Sequence, residues 1–145
     1  MPLYWISCLS SLSMVASSLE IGEMILVTNV YAPIDLPSKS RLLDHIRYVK
    51  NCHTFLPWIM GGDFNSVLSL EEKRGGLAHL GPSSELLRHN IDLLHLSNVK
   101  TLNGIFTWNN RRVGNDAISK CLDKFLVSFF WQSGSLSLSS KILDW

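Results

Sequence analysis

Asp63 and Asn65 are the residues whose types and spacing first suggest chemistry. They lie two apart in Gly61-Gly62-Asp63-Phe64-Asn65, directly after the apolar stretch Pro57-Trp58-Ile59-Met60. In an extended chain, residues two apart point to the same side. A carboxylate can orient a water molecule. A neutral amide beside it can donate to a phosphate oxygen without adding negative charge that would repel it. The pair therefore suits hydrolysis of a phosphodiester. The same residues also suit a plain turn, because Gly, Asp and Asn dominate turns. The segment alone does not separate the two readings, so the surrounding elements must.

Those elements are predicted from periodicity and breakers. Met24 to Tyr31 is short, aliphatic and β-branched, with Pro33 just beyond, and reads as a strand apolar on both faces. Pro37-Ser38 opens a helix that runs to about Asn51, with Leu42, Leu43, Ile46 and Val49 at helical spacing. Pro57 to Met60 is a second strand. Strand, helix, strand is a crossover unit, which implies a parallel or mixed sheet and an α/β fold. At the carboxyl ends of such strands, ligands bind, and Asp63 and Asn65 emerge there. Residues 66–81 read as a loop. Pro82 starts a second helix with Leu86, Leu87, Ile91 and Leu94 as its apolar face. Lys100 to Trp108 reads as extended with a turn at Asn103-Gly104, Asn109 to Asp116 as a polar turn, and Ile118 to Val127 as one further strand. A Ser/Leu-rich tail follows Trp131. No repeat or linker divides residues 1–145, which read as one domain.

The totals narrow the classes. With 46% hydrophobic and 17% charged residues, the 145-residue chain has the composition of a folded domain rather than a disordered one. The net charge of +1 gives no strong electrostatic pull toward nucleic acid. Basic clusters are short: Lys73-Arg74 and Arg111-Arg112. Cys8, Cys52 and Cys121 are odd in number and widely spaced without a CxxC, which argues for free thiols of an intracellular chain over a disulfide framework or zinc site. No apolar run approaches the about 18 residues of a membrane helix, so no membrane partner is expected. The Ser-interrupted start, Met1 to Ser18, lacks the basic flank of a signal peptide.

Four motifs in order sharpen the reading: Asn29-Val30-Tyr31-Ala32-Pro33, Gly62-Asp63-Phe64-Asn65, Phe106-Thr107-Trp108, and Leu122-Asp123-Lys124-Phe125-Leu126-Val127-Ser128. Together they resemble the endonuclease/exonuclease/phosphatase superfamily, most of all the endonuclease domains of plant LINE-type non-LTR retrotransposons. The resemblance covers roughly residues 27–131. It implies a DNase I-like two-sheet α/β sandwich, present here in part. It implies that Asp63 positions the attacking water, that Asn65 holds the scissile phosphate, that Tyr31 lies near the phosphate, and that Asp123 orients a histidine. Trp108, Arg111 and Arg112 would lie toward the substrate. It also implies Mg²⁺ as cofactor, DNA as partner and the nucleus as compartment. Each residue has an ordinary alternative: Tyr31 packing at a strand end, Trp108 packing in a core or hairpin, and Asp123 paired with residues near Lys124 or with Arg111-Arg112.

The sequence departs from that family at both ends. The family carries an asparagine and a metal-binding glutamate on two strands before the Asn29 motif. Glu20 and Glu23 are the only acids in that stretch, neither follows a recognisable strand, and neither is expected to bind metal. The family ends on Ser-Asp-His, whereas no histidine follows His95 here. His45, His53, His79, His89 and His95 read as solvated or helix-face residues. Cys121 and Lys124 stand where the family has Arg, and Lys does not replace the bidentate Arg fork. The chain is thus expected to be a truncated, inactive remnant that does not itself bind Mg²⁺. The alternatives are a non-catalytic nucleic-acid-binding or interaction remnant, and a small-molecule phosphatase of the same superfamily.

Overall fold

A computed structural model describes residues 2–133 and 138–143; part of the Ser/Leu-rich tail, 134–137, and the terminal 144–145 lie outside the described residues. Nine strands and three helices follow in the order β1 (Pro2–Cys8), β2 (Ser11–Ser17), β3 (Met24–Tyr31), α1 (Leu36–Cys52), β4 (Trp58–Asp63), β5 (Lys73–Arg74), α2 (Pro82–Leu93), β6 (Leu96–Asn98), β7 (Trp108–Asn109), β8 (Ser119–Lys120), β9 (Asp123–Ser128) and α3 (Phe130–Ser133). Single 3-10 turns at Leu70–Glu72 and Gly114–Asp116 interrupt the loops. Six strands form one sheet in the order β1-β2-β3-β4-β9-β6, and three form a small second sheet in the order β5-β8-β7.

The crossover β3-α1-β4 gives the one parallel pair of the large sheet; its other pairs are antiparallel. Helix α1 starts where Asp35 accepts from the Ser38 amide at 2.9 Å, an N-cap just ahead of Pro37. Its stripe of Leu42, Leu43, Ile46 and Val49 packs onto Leu26, Val30, Trp58, Met60 and Leu126. Removing such a side chain by Leu→Ala or Ile→Ala typically costs about 2–5 kcal/mol. Helix α2 differs from expectation: Leu87 is buried, Leu86, Ile91 and Leu94 only partly so, and Ser84 and Asn90 turn inward with it. Strand β3 likewise alternates, burying Leu26, Thr28 and Val30 while Met24, Asn29 and Tyr31 are exposed.

Three further expectations give way. The N-terminal stretch, to which the sequence reading assigns no strand, forms the hairpin β1–β2, so a strand does precede Glu20 and Glu23; both acids sit in the turn from β2 to β3. The predicted strand over Ile118 to Val127 is two strands in different sheets, parted at Cys121-Leu122. Lys100 to Trp108 is mostly irregular. Asn103 brackets Ile142, donating to its carbonyl at 2.6 Å and accepting from its amide at 2.7 Å, which replaces strand pairing there.

Among the described residues, no helix is long and apolar enough to cross a membrane. The three cysteines are free thiols.

Candidate functional site

The site begins with two glycines. A Cβ on Gly61 would collide with the Phe125 ring, and one on Gly62, where φ is +139°, would overlap the Val30 carbonyl oxygen. Strand β4 therefore requires glycine at position 62 to close on β3, and at Gly61 any larger residue would have to displace the Phe125 ring. The register then sets Tyr31 opposite Asp63 on one side and Asp123 opposite Asp63 on the other. Tyr31, Asp63 and Asp123 form one row across β3, β4 and β9, at the carboxyl end of the parallel pair.

Backbone hydrogen bonds lock the motifs to one another. The Ala32 amide donates to the Asp63 carbonyl at 2.7 Å, and the Phe64 amide donates to the Leu122 carbonyl at 2.9 Å. Phe64 is buried beneath them as a plug. Asp63 Oδ1 accepts from the Asn65 amide at 2.8 Å, an Asx turn that carries Asn65 at φ +46°. Asn65 Nδ2 donates to the Ala32 carbonyl at 2.7 Å, which leaves the second hydrogen of that amide for a ligand. Thr107 Oγ1 accepts from the Leu122 and Asp123 amides, each at 3.0 Å, and so fixes the start of β9. All four motifs named above meet at this one place.

Exposure fits a surface site. Tyr31 is 71% exposed, Asp123 is exposed, and Asp63 and Asn65 are half-buried. Asp63 and Asp123 face each other across an antiparallel pair, where like charges repel. Among the described residues, no ion pair reaches Asp123, so neither Arg111-Arg112 nor a residue near Lys124 serves as the partner considered above. Lys124 sits on the opposite face of β9. There it is buried, 2.9 Å from Glu72, and it donates to the Cys121 carbonyl. The Lys-for-Arg change at this position therefore leaves the row untouched. Cys121 is buried too, and that burial raises its thiol pKa.

Trp108, Arg111 and Arg112 are not brought into the row. Trp108 lies on β7 of the small sheet with Lys120 5.7 Å above its ring, and the two arginines occupy the exposed β7–β8 connection. The expectation for the histidines needs one correction. His53 is buried at the end of α1, bonded to the Val49 carbonyl through Nδ1 at 2.8 Å and to the Tyr4 hydroxyl through Nε2 at 2.6 Å. It joins α1 to β1 and does not face Asp123.

One residue escaped sequence reasoning. Lys39 is 1% exposed, and its ammonium donates to the Asn65 carbonyl at 3.0 Å and to the Ser66 and Ser83 hydroxyls at 2.6 Å each. Desolvation pulls its pKa down to about 8, against a counter-pull from the Asp63 and Asp35 carboxylates. A signal was present: Lys39 continues the buried stripe of α1 one turn ahead of Leu42 and Leu43.

The fold as a whole can be compared with solved structures. The endonuclease domain of TRAS1, a telomere-specific non-LTR retrotransposon, superposes with a TM-score of 0.67 at 17% identity, over 85% of this chain and 52% of that one. The chain has the endonuclease/exonuclease/phosphatase fold. A Neisseria 3′ phosphatase bound to a product DNA hairpin shares the fold with a TM-score of 0.59 at 16% identity, over 94% of this chain and 65% of that one. A Bacteroides thetaiotaomicron protein of the endonuclease/exonuclease/phosphatase family does so with a TM-score of 0.53 at 16% identity, over 81% and 40%. The chain thus spans between 40% and 65% of the length of these structures. No protein-family model and no curated protein matches the sequence.

The fold raises the question of a divalent metal. Among the described residues, no three acids, histidines or cysteines come together. The row offers two carboxylates, one of them already accepting a backbone hydrogen bond. These two carboxylates do not by themselves complete a divalent-metal donor set among the described residues.

Proposed function

We propose that the chain carries one part of the hydrolytic site of a retroelement-type endonuclease, a remnant that engages a DNA phosphodiester without cutting it. The observation that carries this reading is the single row of Tyr31, Asp63 and Asp123 with the Asn65 amide beside it. In that arrangement the Asp63 carboxylate would orient a water molecule. The second hydrogen of Asn65 Nδ2 and the Tyr31 hydroxyl would donate to phosphate oxygens. Asp123 would be placed to orient a basic group, but the sequence has no histidine after His95. Mg²⁺, where bound, would neutralise charge on the phosphate; among the described residues no three acids, histidines or cysteines come together to hold it. Loss of one member of a catalytic unit can cost nearly as much as loss of several. The pair Asp63 and Asn65 alone is therefore expected to leave rates near background.

A nicking assay on supercoiled plasmid with Mg²⁺ tests this, run on the chain and on an Asp63→Ala, Asn65→Ala double variant. Neither should nick. Nicking by the unaltered chain that the double variant loses would overturn the reading and establish an active endonuclease.

A second reading has its own observation. The small sheet stacks cations on aromatic rings: Arg74 lies 5.1 Å from the Phe106 ring and Lys120 5.7 Å from the Trp108 ring, with Arg111 and Arg112 exposed nearby in sequence. Such a surface suits nucleic-acid binding independent of the row. A steep salt dependence of DNA binding that survives the double variant would favour it.

A further inference from the structure

The loop that presents Asn65 is held from beneath by a charge that contacts nothing outside the protein. A lysine ammonium has three N–H donors. In Lys39 all three are used, one each by the Asn65 carbonyl, Ser66 Oγ and Ser83 Oγ. The three acceptors come from the site loop and from the first turn of α2, and Lys39 itself belongs to α1. One side chain thus ties both helices to the turn after β4. Ser66 and Ser83 also bond each other at 2.7 Å, which closes the cluster.

This is an uneconomical way to fill an interior. Burying an ammonium without a carboxylate partner is costly, and an apolar side chain of similar size generally serves packing better. The ion pairs among the described residues are Arg47–Asp44 and Lys124–Glu72, and neither involves Lys39. Desolvation acts on the group as expected, lowering its pKa to about 8. What the ammonium does that a methyl group could not is fix the Asn65 carbonyl. Asn65 has φ +46°, a left-handed conformation that asparagine adopts more readily than other side chains and that the Asx turn with Asp63 supports. Its side chain is held by Ala32 above and its backbone by Lys39 below.

We propose that Lys39 is a positioning residue for phosphate binding: by clamping the Asn65 carbonyl and the Ser66 and Ser83 hydroxyls, it sets the angle at which the Asn65 side-chain amide meets a phosphate oxygen. The proposal rests on the reading of Asn65 as the phosphate-holding amide. Lys39 has no donor left for substrate, and its contact with the phosphate-holding group runs through the Asn65 carbonyl.

The test uses the whole chain and inorganic phosphate as probe, followed through the amide NMR signals of Phe64, Asn65 or its replacement, and Ser66. Four proteins are compared: unaltered, Lys39→Met, Asn65→Gly and the double variant. Glycine keeps the left-handed backbone and removes only the amide. Each single change should weaken phosphate binding roughly tenfold, the order expected for one hydrogen bond to a charged oxygen. The double variant should be no weaker than either single one, because both act on the same contact. Additive losses would overturn the proposal, as would undiminished binding by a folded Lys39→Met. Where Lys39→Met does not fold, Ser83→Ala decides: it removes one anchor and should weaken binding several-fold, and no change would count against Lys39. The underlying reading fails separately, if phosphate shifts no signal in the unaltered chain or if Asn65→Gly binds as well as it does.

Discussion

Of the two buried lysines, Lys124 is matched by the Glu72 carboxylate at 2.9 Å, while Lys39 has one carbonyl and two hydroxyls. The difference has a measurable consequence for stability. The Lys39 pKa falls to about 8 from the ordinary lysine value of 10.5. Between those values the unfolded chain binds more protons than the folded one, so stability rises with pH. Lys50, lowered by desolvation, acts in the same direction. Cys121 acts the other way: its thiol is raised above 9.0, so it contributes a loss as pH climbs past that value. The window from pH 8 to 9 is therefore where Lys39 dominates. The unfolding free energy of the unaltered chain, read from urea unfolding, should increase across it by less than the about 1.4 kcal/mol that one proton per pH unit allows. Lys39→Met should lose that increase, and equal slopes in the two proteins would contradict the assignment. This residue was the hardest to read from sequence, since a lysine on a helix is ordinarily solvated. Asp63, Asn65, Tyr31 and Asp123 were legible as candidates because short motifs name them, and the register joins three of them in one row with Asn65 beside it.

At the level of elements, legibility followed the hydrophobic pattern. Strand β3, helix α1 and strand β4 came through because apolar residues fall where burial needs them. Strand β2 was missed because its pattern is inverted. Ser11, Ser13 and Val15 face the core, while Leu12 and Met14 face outward. Its buried hydroxyls are satisfied locally. Ser13 and Thr28 share a hydrogen bond of 2.9 Å, and Trp58 Nε1 donates to Thr28 at the same distance. The break at Cys121-Leu122 was invisible for another reason: periodicity does not tell which of two sheets a strand joins. The motif Gly61-Gly62 is where sequence and element agree most closely. Gly62→Ala would place a Cβ against the Val30 carbonyl oxygen at a backbone angle that alanine rarely adopts. It should destabilise the chain by about 1–3 kcal/mol or more, read from chemical unfolding. Gly22→Ala has nothing within 4 Å of its Cβ and pays only for its φ of +69°. It serves as the milder comparison. Equal losses at the two sites would show that close approach at Gly62 is not what demands glycine.

The whole molecule is unevenly covered. Helices α1 and α2 bury one face of the large sheet, and Trp58 on that side is fully enclosed. The opposite face carries Trp5, Leu12, Met14 and Phe125, with Trp5 70% and Phe125 48% exposed. Register places Trp5 beside Met14, Met14 beside Val27 and Val27 beside Ile59, so the apolar residues run across strands rather than standing singly. A groove of about 800 Å³ continues the same face, lined by Val27, Ile59, Leu68, Phe125 and Ile142 among others. Among the described residues strand β1 is an edge of the large sheet, a template for pairing with further strands. Contiguous apolar surface of this kind favours association over solvation. The average mass of the chain, followed by sedimentation, should rise with concentration over the micromolar range in which exposed sheets commonly associate. It should also bind a dye specific for apolar surface. Trp5→Lys together with Met14→Lys replaces two neighbours on that face with charges and leaves the helix-covered core intact. This variant should remain monomeric and bind less dye at unchanged helix content. A monomeric unaltered chain without dye binding would contradict association through this face.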